Sequence, residues 1–513
     1  MQKYKESLTK SLFRTGKTLT GILRAMYMSN LGNFARGSLY LPLLLVVASC
    51  STKSITAPPT PPNVVIMFVD DMGYGDTGVY GLEAYATPNL DRMASEGVYF
   101  TDFYVSQAVC SASRASLLTG NYANRIGIHG ALGPGNTHGI NKNEVTLGEL
   151  FKEKGYATAV YGKWHLGHHP DFLPLEHGFD DFYGIPYSND MWPFHPENPD
   201  AWGDLPTIER DSIVGYNTDQ TRFTTDFTRR STEFIQSQVS ANRPFFLYIA
   251  HPMPHVPLFV SKERSGLSGA GLYGDVIHEI DWSIGEILKT LQETEVDDNT
   301  LVLFASDNGP WLSYGNHAGS TGDLREGKGT AWEGGVRVPF IARWPNVIPE
   351  GITVNTPAMT IDLFPTLAHL INAPLPEHPI DGRNIWPLMT GKSDISPQKA
   401  YFFWYKRNEL HAVRSGRWKL YFPHSYRTMK GQSPGADGIP GKYISRDTNL
   451  ELYDLVADIG EYQDLSSAYP EIVDQLSALA DSMREVLGDQ LRGIEGSQIR
   501  QPGRVDSSSY THP

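Results

Sequence analysis

Two acidic pairs, Asp70-Asp71 and Asp307-Asn308, directly follow the apolar runs "NVVIMFV" (63–69) and "TLVLFAS" (300–306). Together they offer three carboxylates and an amide oxygen, the donors a hard cation such as Ca2+ prefers. Alone, Asp-Asp reads as a helix cap and Asp-Asn-Gly as a turn. Two pairs closing strands of one sheet read as a metal cage. Two more runs end in other reactive types: "ATAVYG" (157–162) leads to Lys163 and His165, and "PFFLYIA" (244–250) to His251 and His255. Lys328 lies in the glycine-rich "LREGKGTAWEGGVRVP" (324–339), which lacks the P-loop pattern but lets backbone approach a ligand closely. Each of these cations alone would be a surface lysine or a hydrogen-bonded histidine. Behind four buried strands they supply charge and protons to a site. The remaining element is "CSASRASLLTG" (110–120). A helix from Ser111 to Leu118 would aim its N-terminus at Cys110, and Arg114 would add a permanent charge one turn on. One reading is an activated thiolate nucleophile. A soft sulfur suits an oxygen cage poorly.

The elements that must position these groups follow from the pattern. Short continuous apolar runs indicate strands buried on both faces of a parallel sheet. Helical spacing separates them, as in "TPNLDRMASEG" (87–97), "VTLGELFKEKG" (145–155) and "DVIHEIDWSIGEILKTLQE" (275–293). Alternation of this kind predicts an α/β fold with its ligand site beyond the carboxyl ends of the strands. From about Ala400 the pattern changes. "ELHAVRSGRWKLYF" (409–422) reads as two strands around a Ser-Gly turn, "NLELYDL" (449–455) as a third, and "PEIVDQLSALADSMREVL" (470–487) as a helix. That predicts a catalytic domain over 63–399, a smaller antiparallel sheet with a packed helix over 400–490, and a loose tail over 491–513.

The N-terminal region is read separately. Residues 1–36 carry seven basic side chains against Glu6, and "LYLPLLLVVASC" (39–50) follows. A basic stretch, a short apolar run and small residues predict a secretory signal over 1–49 rather than a membrane span. Val47-Ala48-Ser49-Cys50 resembles a bacterial lipobox, which implies lipidation of Cys50 and an envelope location, anchored to the membrane by lipid alone. Residues 50–62 then form a Ser/Thr/Pro tether. Without 1–49 the chain has 36 basic and 56 acidic side chains, a charge of −20 that argues against a nucleic-acid partner. With Cys50 acylated, Cys110 has no partner in the chain, so disulfides do not hold the fold together.

"CSASRASLLTG" resembles the sulfatase signature, Cys-x-Pro-Ser-Arg with a Thr-Gly a few residues on. The resemblance runs from Asn63 to the last helix and includes "GKWHLGHHPDFLPLEHGFDDFYG", "GIPYSND" and the Lys328 segment. It points to the type I, formylglycine-dependent sulfatases, close to the arylsulfatase A and N-acetylgalactosamine-6-sulfatase group. It implies an alkaline-phosphatase-like core with a large mixed, mostly parallel sheet. It also implies that a maturase oxidises Cys110 to formylglycine, whose hydrate attacks sulfate. Asp70, Asp71, Asp307 and Asn308, with modified residue 110, would bind Ca2+. Asp307 would assist deprotonation of the hydrate, and Arg114 and Lys163 would steady it. Lys328 and His255, with Lys163, would hold the sulfate, and Lys328 and His255 would protonate the leaving oxygen. His165 would take the second hydroxyl's proton as sulfate leaves. Ala112 stands where the commonest motif has Pro, which bears on which maturase acts.

Sulfated carbohydrate is the expected substrate, and "DMWPFHPENPDAWGD" (190–204) is either a sugar platform or a packed loop. Two other functions fit parts of the pattern. A phosphodiesterase or phosphonate monoester hydrolase of the same superfamily would use the same nucleophile. A non-catalytic glycan-binding surface protein would keep Cys110 as a free thiol.

Overall fold

Along the first apolar run, successive residues face different cores. Val64, Ile66 and Phe68 join one hydrophobic cluster, and Val65, Met67 and Val69 join the other. This is the period-two signature of a strand sandwiched between helical layers. The computed structural model describes residues 61–199 and 201–506. The expected signal segment, Cys50 and all of the tether except Pro61 and Pro62 lie outside the described residues. Among the described residues no helix is long and apolar enough to cross a membrane.

Ten strands form the large sheet: β1 (Asn63–Val69), β2 (Val98–Phe100), β3 (Ala157–Lys163), β4 (Asp181–Ile185), β5 (Pro206–Glu209), β6 (Ser212–Tyr216), β7 (Phe245–Ala250), β8 (Thr300–Ser306), β9 (Phe340–Arg343) and β10 (Ile352–Val354). Their spatial order is β10-β2-β9-β8-β1-β7-β3-β4-β5-β6. The four strands expected to carry the chemistry, β8, β1, β7 and β3, are consecutive neighbours, and β4 continues the parallel run. Register makes their carboxyl ends level: Val69 pairs with Ser306, Phe68 with Ala250, and Ala250 with Gly162. Antiparallel pairs involving β9 and β5 make the sheet mixed.

Helices α1 (Pro88–Ser95), α2 (Cys110–Thr119), α3 (Leu147–Glu153), α4 (Phe223–Ser240) and α5 (Gly271–Glu293) connect or cover these strands. Helix α3 starts at a capping box in which Thr146 and Glu149 satisfy each other's backbone N–H. All ten residues of α2 are buried. Its C-terminus is fixed at Gly120 (φ +69°), whose carbonyl accepts N–H bonds from Asp381 and Gly382.

Helix α6 (Leu363–Leu370) packs beside α2 and is held by Asp362. That buried carboxylate accepts bonds from Met359 N (3.0 Å), Arg383 N (2.7 Å), Gln398 Nε2 (3.2 Å) and Tyr401 Oη (2.7 Å). Burial pushes its pKa up to about 6 in spite of these donors. A raised folded-state pKa favours the fold below the unfolded value of 3.8, and that contribution is lost as pH rises through about 6. Wild type should therefore lose stability relative to Asp362→Asn between pH 4 and 7.5. The ceiling is about 3 kcal/mol, at ~1.4 kcal/mol per pH unit, and urea unfolding of both proteins at the two pH values measures it.

In the C-terminal region β11 (Tyr401–Tyr405), β12 (Glu409–Ser415), β13 (Trp418–Tyr421) and β16 (Glu451–Asp454) form an antiparallel sheet, with α7 (Pro470–Leu487) packed on it. Between them β14 (His424–Thr428) and β15 (Ile444–Thr448) make a two-stranded ribbon. One hydrophobic cluster runs from β1 through this sheet to α7, so the two expected domains share a core. Buried Lys419 crosses the junction to Glu333 Oε1 and the Ala331 carbonyl, both at 2.7 Å. The segment that carries Lys328 is thereby clamped from the C-terminal side. The tail expected to be loose is fastened as far as Val505, whose N–H bonds the Thr137 carbonyl at 2.9 Å. Gly503–Arg504 pairs with His138–Gly139, and Arg500 holds Glu144 at 2.6 and 2.7 Å. These ties are backbone and charge contacts, which leave no apolar periodicity in a sequence.

Candidate active site

Strand β1 ends by turning sharply. Asp71 adopts φ +65°, the left-handed region that a non-glycine residue rarely enters. The turn directs its N–H to Asp307 Oδ1 (3.1 Å) at the end of β8 and its carboxylate toward Lys328. Lys328 Nζ lies 2.6 and 2.8 Å from the two Asp71 oxygens and 3.4 Å from Cys110 Sγ. Asn308 Nδ2 donates to Asp71 Oδ1 at 2.6 Å. Arg114, four residues along α2, bonds Asp307 Oδ2 through Nε (3.0 Å) and Nη2 (2.9 Å) and reaches Asp70 at 3.4 Å. Lys163 Nζ is paired with Asp70 and also donates to Ser188 Oγ at 3.0 Å. All these groups are buried. Asp70, Asp71, Cys110, Arg114, Lys163, Asp307, Asn308 and Lys328 are thus brought together.

Three carboxylates therefore face three fixed cations. Burial alone would raise the Asp70 pKa, but Lys163, His255, Arg114 and Lys328 outweigh it and hold the group well below the carboxylate range. Asp307 goes the other way, up to about 7, through burial and the charge of Asp70, against the pull of Arg114 and Lys163.

The helix begins at Cys110 itself rather than at Ser111, with Val109 as its extended cap residue. The expected activation by the helix end does not prevail. Burial, then Asp70 at 3.3 Å from Sγ, pushes the thiol pKa well above its ordinary value. A thiol here stays protonated and is a poor nucleophile. At the motif's usual proline position, the Ala112 N–H donates to the Gly130 carbonyl at 3.3 Å, a bond proline cannot make.

The histidines are set by their carbonyl partners. His165 Nε2 must donate to the Leu132 carbonyl at 2.8 Å, so Nδ1, buried and without a partner, carries the lone pair. Burial, with Lys163 and Arg114, keeps this ring's pKa well below its usual value, so it is a neutral base. His255 Nδ1 donates to the Val256 carbonyl at 2.6 Å, and Nε2 faces Asp71 Oδ2 at 3.6 Å. Burial and then Lys328 lower its pKa as well. His251, read from the sequence as a strand-end histidine, bonds Ser283 at 3.2 Å in the helical layer instead.

The donor set fits a metal ion. Ligand atoms of Asp70, Asp71, Cys110 and His255 lie within 4.8 Å of one another. Asn308 Oδ1 is a buried acceptor with no partner, which a cation would satisfy. Gly309 permits this packing, because a Cβ there would lie 1.8 Å from the Gly334 carbonyl oxygen. Gly309→Ala must displace Asn308 or the Glu333 turn. We expect a 10- to 100-fold weaker divalent-metal affinity in a folded protein, measured by calorimetric titration of the metal-free variant.

Sequence reasoning missed Ser188, the second partner of Lys163, and Trp311, whose ring lies 4.7 Å from Lys328 Nζ and 5.6 Å from the His255 ring. "GIPYSND" and "DNGPW" contain both residues, but nothing in either string ties them to a lysine far away in sequence. In the 190–204 segment Trp192 packs on Phe194 and Phe259, while Phe194 is 63% exposed.

A buried cluster of three carboxylates matched by three cations, gathered around residue 110 with room for a cation, has the charges to hold an anionic ester. On this sheet it defines a hydrolase with an alkaline-phosphatase-like core. The chain belongs to the sulfatase family, whose profile matches residues 62–373, and a profile for the C-terminal region of aryl-sulfatase matches 396–498. It is 38% identical to N-acetylgalactosamine-6-sulfatase of Canis lupus familiaris, over 86% of this chain and 89% of that one. With arylsulfatase A of Homo sapiens the identity is 36%, over 82% and 87%. The solved structure of Ps i-CgsB in complex with k-i-k-neocarrahexaose is similar at TM-score 0.69 and 27% identity, covering 83% of this chain and 93% of that one. The protein is a sulfuric ester hydrolase.

Proposed function

We propose that the protein removes sulfate from sulfated carbohydrate, with Cys110 converted by a maturase to formylglycine and Ca2+ in the oxygen cage. The observation that carries this reading is the buried thiol seated 3.3 Å from Asp70 among oxygen ligands. Sulfur is wrong there both as a nucleophile and as a ligand of a hard ion, and an oxygen at the same position is right for both. Formylglycine, as its hydrate, supplies the attacking oxygen and a second hydroxyl that lets sulfate leave. Asp70, Asp71, Asp307 and Asn308 would hold the cation, which would supply Lewis-acid polarisation of the sulfate.

The chain's own residues do the rest. Arg114 and Lys163 fix the carboxylates and offset charge at residue 110. Lys328 exchanges its contact with Asp71 for the sulfate and, with Lys163 and His255, binds it. Lys328 and His255 deliver a proton to the leaving oxygen, and an anionic ester beside His255 favours its protonated form. Asp307 accepts a proton from the attacking hydroxyl. His165 Nδ1, already a free lone pair, accepts the second hydroxyl's proton. With a divalent ion bound, the balanced cluster would carry an excess of positive charge that an anionic ester offsets. The relative named N-acetylgalactosamine-6-sulfatase and the solved structure in complex with k-i-k-neocarrahexaose support a sulfated sugar, with a 6-sulfated galactose type first. A lipidated Cys50 would hold the enzyme at the bacterial envelope, where such polymers are met.

Turnover of 4-nitrophenyl sulfate, 4-nitrophenyl phosphate and a panel of monosulfated sugars tests this. Sulfate should be preferred by at least tenfold, and a phosphate or phosphonate preference would overturn the sulfatase specificity. Among the described residues a single group of His, Cys, Asp and Glu is arranged to hold metal, whereas a two-metal phosphatase site needs a second ligand set.

A further inference from the structure

Beside the Lys328 segment a cavity of about 330 Å³ opens between the ribbon β14–β15 and the end of β11. That is large enough for one sugar ring. Its walls include Gly329, Tyr405, Lys406, Arg427 and Tyr443. Two of them touch the catalytic machinery. Gly329 follows Lys328 and donates its N–H to the Ala108 carbonyl at 3.0 Å. Tyr405 packs on the small apolar cluster of Val109 and Ala112, which flanks Cys110. The cavity thus adjoins the chemistry without being part of it.

Its charge is unbalanced. Arg427 spends Nε and Nη2 on one neutral acceptor, the Lys328 carbonyl, at 3.0 and 2.6 Å. Its guanidinium lies 4.6 Å from the Tyr443 ring and 5.6 Å from the Trp311 ring, and no carboxylate among the described residues pairs with it. Arg427 is half-buried, whereas the fully buried Arg114, Arg125 and Arg337 each pair with a carboxylate. Lys406, at the rim, is 44% exposed and held by Glu409 at 3.1 Å. Tyrosine rings offer apolar faces with polar edges, and an unpaired guanidinium offers a planar donor fork for an oxyanion.

We propose that this cavity is a subsite for a neighbouring sugar unit that carries a sulfate or carboxylate, so that the enzyme reads at least two units of an anionic glycan. The inference rests on the sulfated-carbohydrate reading above. A ligand placed there would couple to turnover directly, because Arg427 holds the backbone of Lys328.

The test compares kcat/KM of the matured enzyme on four probes: galactose 6-sulfate, and three disaccharides ending in that sugar whose second unit is neutral, sulfated or a uronate. The subsite predicts about tenfold or greater preference for an anionic second unit over the neutral one, and the sulfate and uronate arms identify the group. Arg427→Gln and Lys406→Gln should each reduce that preference by several-fold, measured as the ratio of anionic to neutral disaccharide. Equal wild-type rates on the anionic and neutral disaccharides would overturn the subsite. So would an Arg427→Gln variant that lowers all four rates by one factor, since Arg427 would then only position Lys328. Failure to hydrolyse any probe, with 4-nitrophenyl sulfate still cleaved, would overturn the carbohydrate reading instead.

Discussion

Cys110→Ala and Cys110→Ser bring sulfate-ester turnover to background, a loss on the order of 10⁴-fold or more, while the unfolding temperature stays near wild type and metal still binds, more weakly in Cys110→Ala, which lacks an oxygen at that position. The side chain at 110 makes one long contact to Asp70 and one to Lys328, so removing it deletes little that holds the fold. The cage keeps its other members, because Arg114 still spans Asp70 and Asp307 and Asn308 still holds Asp71. What is lost is the attacking atom. Serine restores one oxygen but has no second hydroxyl through which to release sulfate, so it stops after a single turnover. Peptide mass analysis and thiol titration separate this account from its rivals. Active enzyme should show converted residue 110 and no titratable thiol there. Protein made without a maturase should show an inactive, slowly reacting thiol, as its burial and raised pKa require. Full activity with an intact thiol would overturn the formylglycine proposal.

The site was legible in the sequence because its ligands sit at the ends of strands that cannot be anything else. β1, β3, β7 and β8 are apolar on both faces, and each run stops where ionisable residues begin. The outer strands gave no such signal. β2 and β10 are three residues each, and β6 alternates between exposed and half-buried positions, so their place is set by neighbours rather than by composition. The electrostatic outcome at Cys110 was equally hidden. A helix N-terminus with an arginine one turn on predicts a low thiol pKa, but Asp70, forty residues earlier, lies against the sulfur and burial removes the solvent. Contacts with C-terminal residues, such as Arg427 on the Lys328 carbonyl, depend on a shared core that periodicity alone divides into two domains.

Removing divalent metal with a chelator should abolish turnover, and Ca2+ should restore it. Asp71→Asn should lower kcat/KM on the order of 10³-fold. The physical basis is the charge balance of the cage. Asp70, Asp71 and Asp307 are matched by Arg114, Lys163 and Lys328, and in that state Lys328 is seated on Asp71. A cation entering the cage must displace the Lys328 ammonium from Asp71, which frees it for an anionic ester. Asparagine at 71 removes the charge that recruits the cation, and it leaves Lys328 without its carboxylate in a buried site. Loss of activity alone would not distinguish a metal ligand from a structural prop, so the decisive reading is thermal. A ligand that binds only the folded protein stabilises it by about 2.7 kcal/mol at a concentration one hundred times its Kd. Wild type should show a Ca2+-dependent rise in unfolding temperature, and Asp71→Asn should show little or none at the same concentration. If the chelated wild-type enzyme keeps its turnover, or if both proteins respond equally to Ca2+, the carboxylates at the end of β1 are holding lysines rather than a metal.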